Sequence, residues 1–296
     1  MVIRNKFTKT TMFAAIFLSI VMTSGFTYLY RCTTVKSHDL ILKRLLTIEH
    51  DSKEIEYPSV AFFLNLAKYY KWMEQLQAYI DTAAKSRQGV IGNIAWHPTQ
   101  IYYYARSASF QWVSNICEVG YGAGHSTLLY LAINPKARVY SFDLFPNNKD
   151  DKVHTPGETL VYQQAFQAVT LKAIEENKQL SSRFHKIVGN SNFTIPNFTR
   201  QNPRLRCDVI SIDGSHNPPQ PLLDILHCQS MAHQQTVVLL DDMHILEMKD
   251  QMTKSIEMGI LSEYECLEAE SRVDERFASV EQIKKQFCVA RYRTNA

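Results

Sequence analysis

The chain has 296 residues, 45% of them hydrophobic and 21% charged, with 32 basic side chains against 29 acidic ones for a net charge of +3. The apolar share is too high for a disordered chain and sufficient for a real core. The near balance of charge leaves no basic patch or stripe for nucleic acid, and ten Gly and ten Pro exclude collagen-like or low-complexity architectures.

Arg4, Lys6 and Lys9 precede a run from Thr10 to Tyr30 that carries no charge. A helix of that length, at about 1.5 Å rise per residue, spans roughly 30 Å, one bilayer core. Residues 1–9 are therefore expected to be a cytosolic tail, 10–30 an uncleaved transmembrane signal anchor and 31–57 a polar stem. The short basic tail predicts a type II orientation. The rest would then face the lumen of the Golgi or endoplasmic reticulum. Cleavage near Thr23-Ser24-Gly25 is the alternative and would give a secreted protein. Two sequons, Asn192-Phe193-Thr194 and Asn197-Phe198-Thr199, fit a luminal domain but are no more than chance would supply.

Residues 58–296 are predicted to form one α/β domain. Phe62, Leu66, Tyr69, Met73, Leu76 and Ile80 recur at helical spacing over 58–84, and His97-Pro98 opens a shorter segment to Tyr104. Strands are expected at 116–119, 138–144, 184–188, 208–212, 236–240, 264–267 and 287–292. Helices are expected at 126–133, 159–180, 221–232 and 246–258, and a polar loop at 146–157. Strands alternating with helices imply a parallel sheet covered on both faces. The six cysteines form no CxxC pair and suit neither structural zinc nor a disulfide scaffold. Cys117, Cys266 and Cys288 lie in apolar strand-like runs and read as small buried hydrophobes.

Cys117-Glu118-Val119-Gly120-Tyr121-Gly122-Ala123-Gly124-His125-Ser126 joins a strand to a helix. Its glycines allow a sharp turn and close approach to a ligand. The spacing is GxGxG, so the dinucleotide fingerprint is not met. Glu118 would repel a pyrophosphate and suits a ligand with a positive amino group. Asp143, at the end of the next strand, is placed for both ribose hydroxyls. The two acids together suggest S-adenosylmethionine. Further on, Asp213 ends one apolar strand, and Asp241-Asp242 end another. Three carboxylates at one sheet edge repel one another unless a cation joins them, and oxygen ligands favour magnesium or manganese. The bland alternative is three Asp serving as turn and cap residues.

The segment ICEVGYGAGHSTLLYL…RVYSFDL resembles motif I and its following acid in class I S-adenosylmethionine-dependent methyltransferases. IDGSH followed by VVLLDD resembles the metal-dependent small-molecule O-methyltransferases, including the macrocin and mycinamicin sugar enzymes. The resemblance covers 115–245 well, the last strands loosely and the first 110 residues hardly at all. It implies a Rossmann-like, mostly parallel seven-stranded sheet with helices on both faces. Glu118 and Gly120 would meet the methionine amino group, Gly122 would belong to the same loop, Ser126 would bind the carboxylate, Asp143 the ribose, and Ser191 of Gly189-Asn190-Ser191 the adenine. Asn190 departs from the usual Gly-Asp-Ser. Asp213, Asp241 and Asp242 would hold a divalent cation, and His216 would be the general base.

The expected function is transfer of a methyl group to a hydroxyl of a sugar, glycan or other small molecule. A cation lowers the pKa of the acceptor oxygen, and a histidine base takes its proton near neutral pH. His97, His154 and His244 are candidates for the acceptor pocket, and His125 for backbone positioning. Trp96, Tyr102, Tyr103, Tyr104 and Trp112 offer stacking faces or core. Two other classes stay open: methylation of a phenol, and a membrane-bound S-adenosylmethionine binder without activity. A nucleotide-sugar glycosyltransferase would need a DxD-like motif, which the chain lacks.

Overall fold

A computed structural model describes residues 58–84, 94, 97–145, 158–269 and 285–293. They belong to Ser52–Ala296, one of two units into which the chain divides. The expected tail, anchor and stem lie outside the described residues, as do the 146–157 loop, Trp96 and His154. Among the described residues, no helix is long and apolar enough to cross a membrane.

The elements in chain order are α1 (Val60–Ala84), α2 (Pro98–Ala108), β1 (Asn115–Val119), α3 (His125–Ile133), β2 (Arg138–Asp143), α4 (Glu158–Glu176), α5 (Lys178–Ser181) and β3 (Phe184–Val188). They continue with α6 (Ser191–Gln201), β4 (Val209–Ile212), α7 (Gln220–Cys228), β5 (Val237–Leu240), α8 (Leu246–Glu257), β6 (Leu261–Ala269) and β7 (Lys285–Tyr292). The strands form one seven-stranded sheet in the order β3-β2-β1-β4-β5-β7-β6. The first five pair in parallel, and β7 is antiparallel to both of its neighbours. The chain reverses between β1 and β4, and crevices for ligands open outside the carboxyl ends of the strands at such a point.

Alternation along each strand divides the core into two layers. Cys117 and Val119, Tyr140 and Phe142, Ile210 and Ile212, Val238 and Leu240 face one side and pack with Ile195 of α6, Ile225 of α7 and Met248 and Met252 of α8. On the other side Phe287 meets Tyr103 and Tyr104 of α2, and Tyr104 stacks on Tyr130 of α3 at 6.2 Å. Tyr103 and Tyr104 are thus core residues rather than acceptor-stacking faces.

Three expectations are corrected here. Residues 191–201 form a helix that the sequence pattern did not announce. Pro196 sits inside it and reads as a breaker, yet the Asn190 side chain caps the first turn by accepting from Asn192 N–H. Four cysteines are paired: Cys117 with Cys207, and Cys266 with Cys288. Cys266 and Cys288 are cross-strand neighbours in the β6–β7 register. Cys207 lies just before β4, which pairs with the Cys117 strand. These spatial neighbours are far apart in sequence, by 90 and 22 residues. Cys266 is exposed, whereas Cys117, Cys207 and Cys288 are buried, and Cys228 stays a buried thiol.

Candidate active site

Staggered hydrogen bonds between strand ends bring the marked residues to one edge. Gly120 N–H donates to the Phe142 carbonyl, Asp213 N–H to Val119, Gly189 N–H to Asp143 and Asp241 N–H to Ile212. Gly120 has φ +91°, and a Cβ there would lie 1.9 Å from the Asp213 carbonyl oxygen. Only glycine fits, because the loop after β1 is pressed against the end of β4. One contact thus joins the glycine loop to the acidic edge.

Beneath the loop lies a buried polar floor. The register sets Ser141, Glu118 and Ser211 side by side on β2, β1 and β4, and all three are buried. Ser126 and Thr127, in the first turn of α3, and Ser141 donate hydroxyl hydrogen bonds to the Glu118 carboxylate, the last at 2.6 Å. Burial raises the Glu118 pKa to about 7, and the three hydroxyls restrain the rise. Glu118 therefore lies under the loop, with Oε1 accepting from Ser126 and Oε2 from Thr127 and Ser141. Ser126 points its hydroxyl down to Glu118 in the same network.

Asp143 stands higher, at the end of β2. Its Oδ2 accepts from the N–H groups of Tyr121 at 2.7 Å and Gly122 at 3.1 Å, and its Oδ1 accepts from Phe145 N–H at 2.8 Å. Tyr121 is a plug for the loop: it is buried, hydrogen-bonded to Thr170 and packed on Phe145 and Phe184. Gly120, Gly122, Ser126, Asp143 and Ser191 each keep part of their surface open, whereas Glu118 keeps none. Ser191 Oγ accepts from Gln220, which also donates to the buried Asp224 at 2.8 Å. Burial raises the Asp224 pKa to about 6. The sequence pattern did not single out Gln220, Asp224, Thr127 or Ser141.

The acidic edge is arranged differently from the expectation. Asp213, His216 and Asp242 converge, each offering a ligand atom within 4.8 Å of the others. His216 Nε2 is 3.0 Å from Asp242 Oδ2. Asp241, expected as a third ligand, is not in this group. It is buried, its Oδ1 accepts from Asp242 N–H at 2.6 Å, and its Oδ2 accepts from Lys285 Nζ at 3.2 Å. Lys285 also stands 3.4 Å from Asp242 Oδ1. The physical reason is the Met243 N–H bond to the Gln286 carbonyl, 2.7 Å, which lays the β5 exit along the start of β7 and sets Lys285 beside both acids. Lys285 is in phase with Phe287 and Val289, so alternation carries it inward. That phase was the available signal for it.

Charges here are strongly interdependent. Burial and then its neighbours Asp241 and Asp242 push the Asp213 carboxyl well up. Burial would raise Asp242 as well, but the His216 hydrogen bond and the Lys285 charge hold it below the usual carboxylate range. The Asp242 hydrogen bond raises His216 against the opposing effect of burial. Asp242 has φ +53°, a left-handed conformation unusual for a residue with a side chain. His244 Nδ1 lies 3.8 Å from Asp242 Oδ1, next to the same cluster. His97 and His125 are buried.

The donor set suits a divalent cation. Magnesium and manganese need only one or two carboxylates when water and substrate oxygens fill the remaining positions. Asp213 and Asp242 supply those, and His216 stands beside them.

Residues 117–243 match a family model described as a methyltransferase domain. No match is found among curated proteins. Several solved structures are similar. The cofactor-bound protein Rv0187 from MTB shares 16% identity over 82% of this chain and all of that one, with a TM-score of 0.49. The O-methyltransferase TomG from Streptomyces achromogenes, involved in tomaymycin synthesis and in complex with SAM, shares 14% over 87% of this chain and 96% of that one, at 0.47. An O-methyltransferase from Bacillus cereus in complex with SAH shares 12% over 87% and 97%, at 0.46. These likenesses carry nothing about the acceptor of this chain.

Proposed function

From the match of residues 117–243 to a methyltransferase domain, we propose that the protein is a class I S-adenosylmethionine-dependent O-methyltransferase whose acceptor is a hydroxyl of a sugar or glycan. The observation that carries transfer to a hydroxyl is the convergence of Asp213, His216 and Asp242 beside the glycine loop; the sugar acceptor rests on the resemblance of the IDGSH and VVLLDD segments to the sugar O-methyltransferases. An alcohol is a poor nucleophile until it loses its proton, and this group is built to remove one.

S-adenosylmethionine, when bound, supplies the methyl group. Asp143 is placed to accept the ribose hydroxyls while holding the backbone of Tyr121 and Gly122. Ser191, at the start of α6, borders the adenine side. Glu118 holds the loop from beneath through Ser126, Thr127 and Ser141. His216 is the base. With Nε2–H donated to Asp242, the lone pair of the neutral ring resides on Nδ1. Asp213 and Asp242 would hold a divalent cation, which would lower the pKa of the acceptor oxygen.

The location we propose is the secretory lumen, with residues 10–30 as a type II anchor. The charge-free run, the two disulfides and an exposed sequon support it. Disulfides persist in oxidising compartments. Asn197 is exposed, whereas the Asn192 amide nitrogen donates to Gln220 at 2.8 Å. Asn197 is therefore the expected glycan site. A chain freed from membranes by alkali and carrying no glycan removable by endoglycosidase would contradict the location. The chemistry is tested by incubating the full chain with methyl-labelled S-adenosylmethionine, Mn²⁺ and a panel of sugars, glycans and catechols. Label on a sugar oxygen is expected. Label only on catechols would move the acceptor to phenols, and no label on any hydroxyl would leave a binder without activity.

A further inference from the structure

Lys285 has no part in the motifs above, yet it is one of the most enclosed charges in the domain, with its side chain only 6% exposed. Its ammonium lies 3.2 Å from Asp241 Oδ2 and 3.4 Å from Asp242 Oδ1. A buried ammonium persists only when paired, and here two carboxylates share it. The remaining Asp241 oxygen accepts from Asp242 N–H, so each Asp241 oxygen already has a donor within the protein, and Asp241 lies outside the Asp213, His216 and Asp242 group.

We propose that Lys285 is the resident cation of the acidic edge: its ammonium takes the place beside Asp241 and Asp242 that an external ion would otherwise fill, so that Asp241 is not a ligand and only one divalent ion binds, on the Asp213–Asp242 side. This deepens the metal reading above and rests on it. Formal charge is consistent with it. Asp213, Asp241 and Asp242 carry −3 when ionised, Lys285 returns +1, and one divalent cation then brings the group to neutrality with His216 neutral. A second divalent ion would leave excess positive charge in a half-buried site. Lys285 also acts as a positioning residue. It holds one Asp242 oxygen while the other faces His216, so the ammonium, carboxylate and imidazole form one line from β7 to the base.

The test is Mn²⁺ binding to the full chain by calorimetry and by loss of the free-ion resonance signal, without S-adenosylmethionine or acceptor. The parent is expected to bind one Mn²⁺. Asp242→Asn, which removes a ligand, should weaken binding at least about 100-fold, and Asp241→Asn, which removes only a neighbouring charge, by about tenfold or less. Lys285→Met should tighten it by about tenfold or more, because a positive charge is removed from beside the site. Loss of Mn²⁺ in Asp241→Asn to the extent seen in Asp242→Asn would overturn the proposal, as would Lys285→Met binding no tighter than the parent. If the parent binds no Mn²⁺, the metal reading falls by itself. The Lys285 claim is then decided separately: it survives if Lys285→Met acquires a site and fails if it does not. Where Lys285→Met does not fold alone, Asp241→Asn/Lys285→Met removes the pair together without changing the net charge of the group; one Mn²⁺ bound within about threefold of the parent is expected, and loss to the extent seen in Asp242→Asn would overturn the proposal.

Discussion

Two clusters of buried acid lie within one loop of each other and are stabilised by opposite means. Below the glycine loop, Glu118 is surrounded by three neutral hydroxyls, and its pKa sits near neutrality. At the ends of β4 and β5, Asp241 and Asp242 share the Lys285 ammonium, and Asp242 stays ionised. Hydroxyls tolerate a carboxyl in either protonation state, which suits a frame that only has to keep its shape. An ammonium selects the ionised state, which suits a site that must orient an imidazole. In the proposed reading the first cluster is a scaffold and the second is the chemical edge.

Breaking the second cluster should therefore cost far more function than breaking the first. His216→Ala should lower methyl transfer by about 100- to 10,000-fold, the usual worth of a positioned base, while retaining S-adenosylmethionine binding in calorimetry. Its residual rate should rise with pH as solvent hydroxide takes over. Near-parental turnover at neutral pH would place the base elsewhere, with His244 next to test.

Stability should separate the clusters as well. Lys285→Ala leaves two carboxylates without their cation and should cost about 3–5 kcal/mol in denaturant unfolding. A loss below about 1 kcal/mol would show that the ammonium is not paired as described. Asp143 sits between the two regimes, with one carboxylate holding loop amides and assigned, in the proposed reading, to the ribose. Asp143→Ala should weaken S-adenosylmethionine by about 1.5–3 kcal/mol, and unchanged affinity would remove the ribose assignment.

The remaining effect is predicted for the scaffold acid and is a matter of pH. The folded pKa of Glu118, about 7, lies above its ordinary 4.5. Across that interval the folded state keeps a proton that the unfolded chain has lost, so the stability of the parent falls as pH rises from about 4.5 to 7 and then levels off. Glu118→Gln has no such proton. Relative to the parent it should gain about 3 kcal/mol across the interval, with the gap constant above it. Parallel curves for the two proteins would show that Glu118 is not held as described.

Much of this was legible in the sequence, for physical reasons. The strands announce themselves as short apolar runs, and Gly120, Asp143, Asp213 and Asp242 stand where those runs stop. Strand exits form the edge of a parallel sheet, so their chemistry is visible in one dimension. What escaped depends on pairing across the sheet. Asp241 looks like its neighbour Asp242 in sequence but faces Lys285, 44 residues later. The cysteine partners meet only through the β1–β4 and β6–β7 register. Helix α6 was hidden by Pro196, whose effect the Asn190 cap offsets. The Glu118 floor required knowing that Ser141 and Ser211 flank it on neighbouring strands.

The most direct measurement of the central claim is the labelled-methyl transfer rate of Asp242→Asn, taken alongside its affinity for S-adenosylmethionine. Asp242 links Lys285 to His216 and borders the proposed cation position, yet it makes none of the loop contacts proposed to hold the cofactor. The expected result is S-adenosylmethionine affinity within about threefold of the parent with transfer reduced at least about 100-fold. Transfer at the parental rate with cofactor bound would contradict the assignment of the chemistry to this edge.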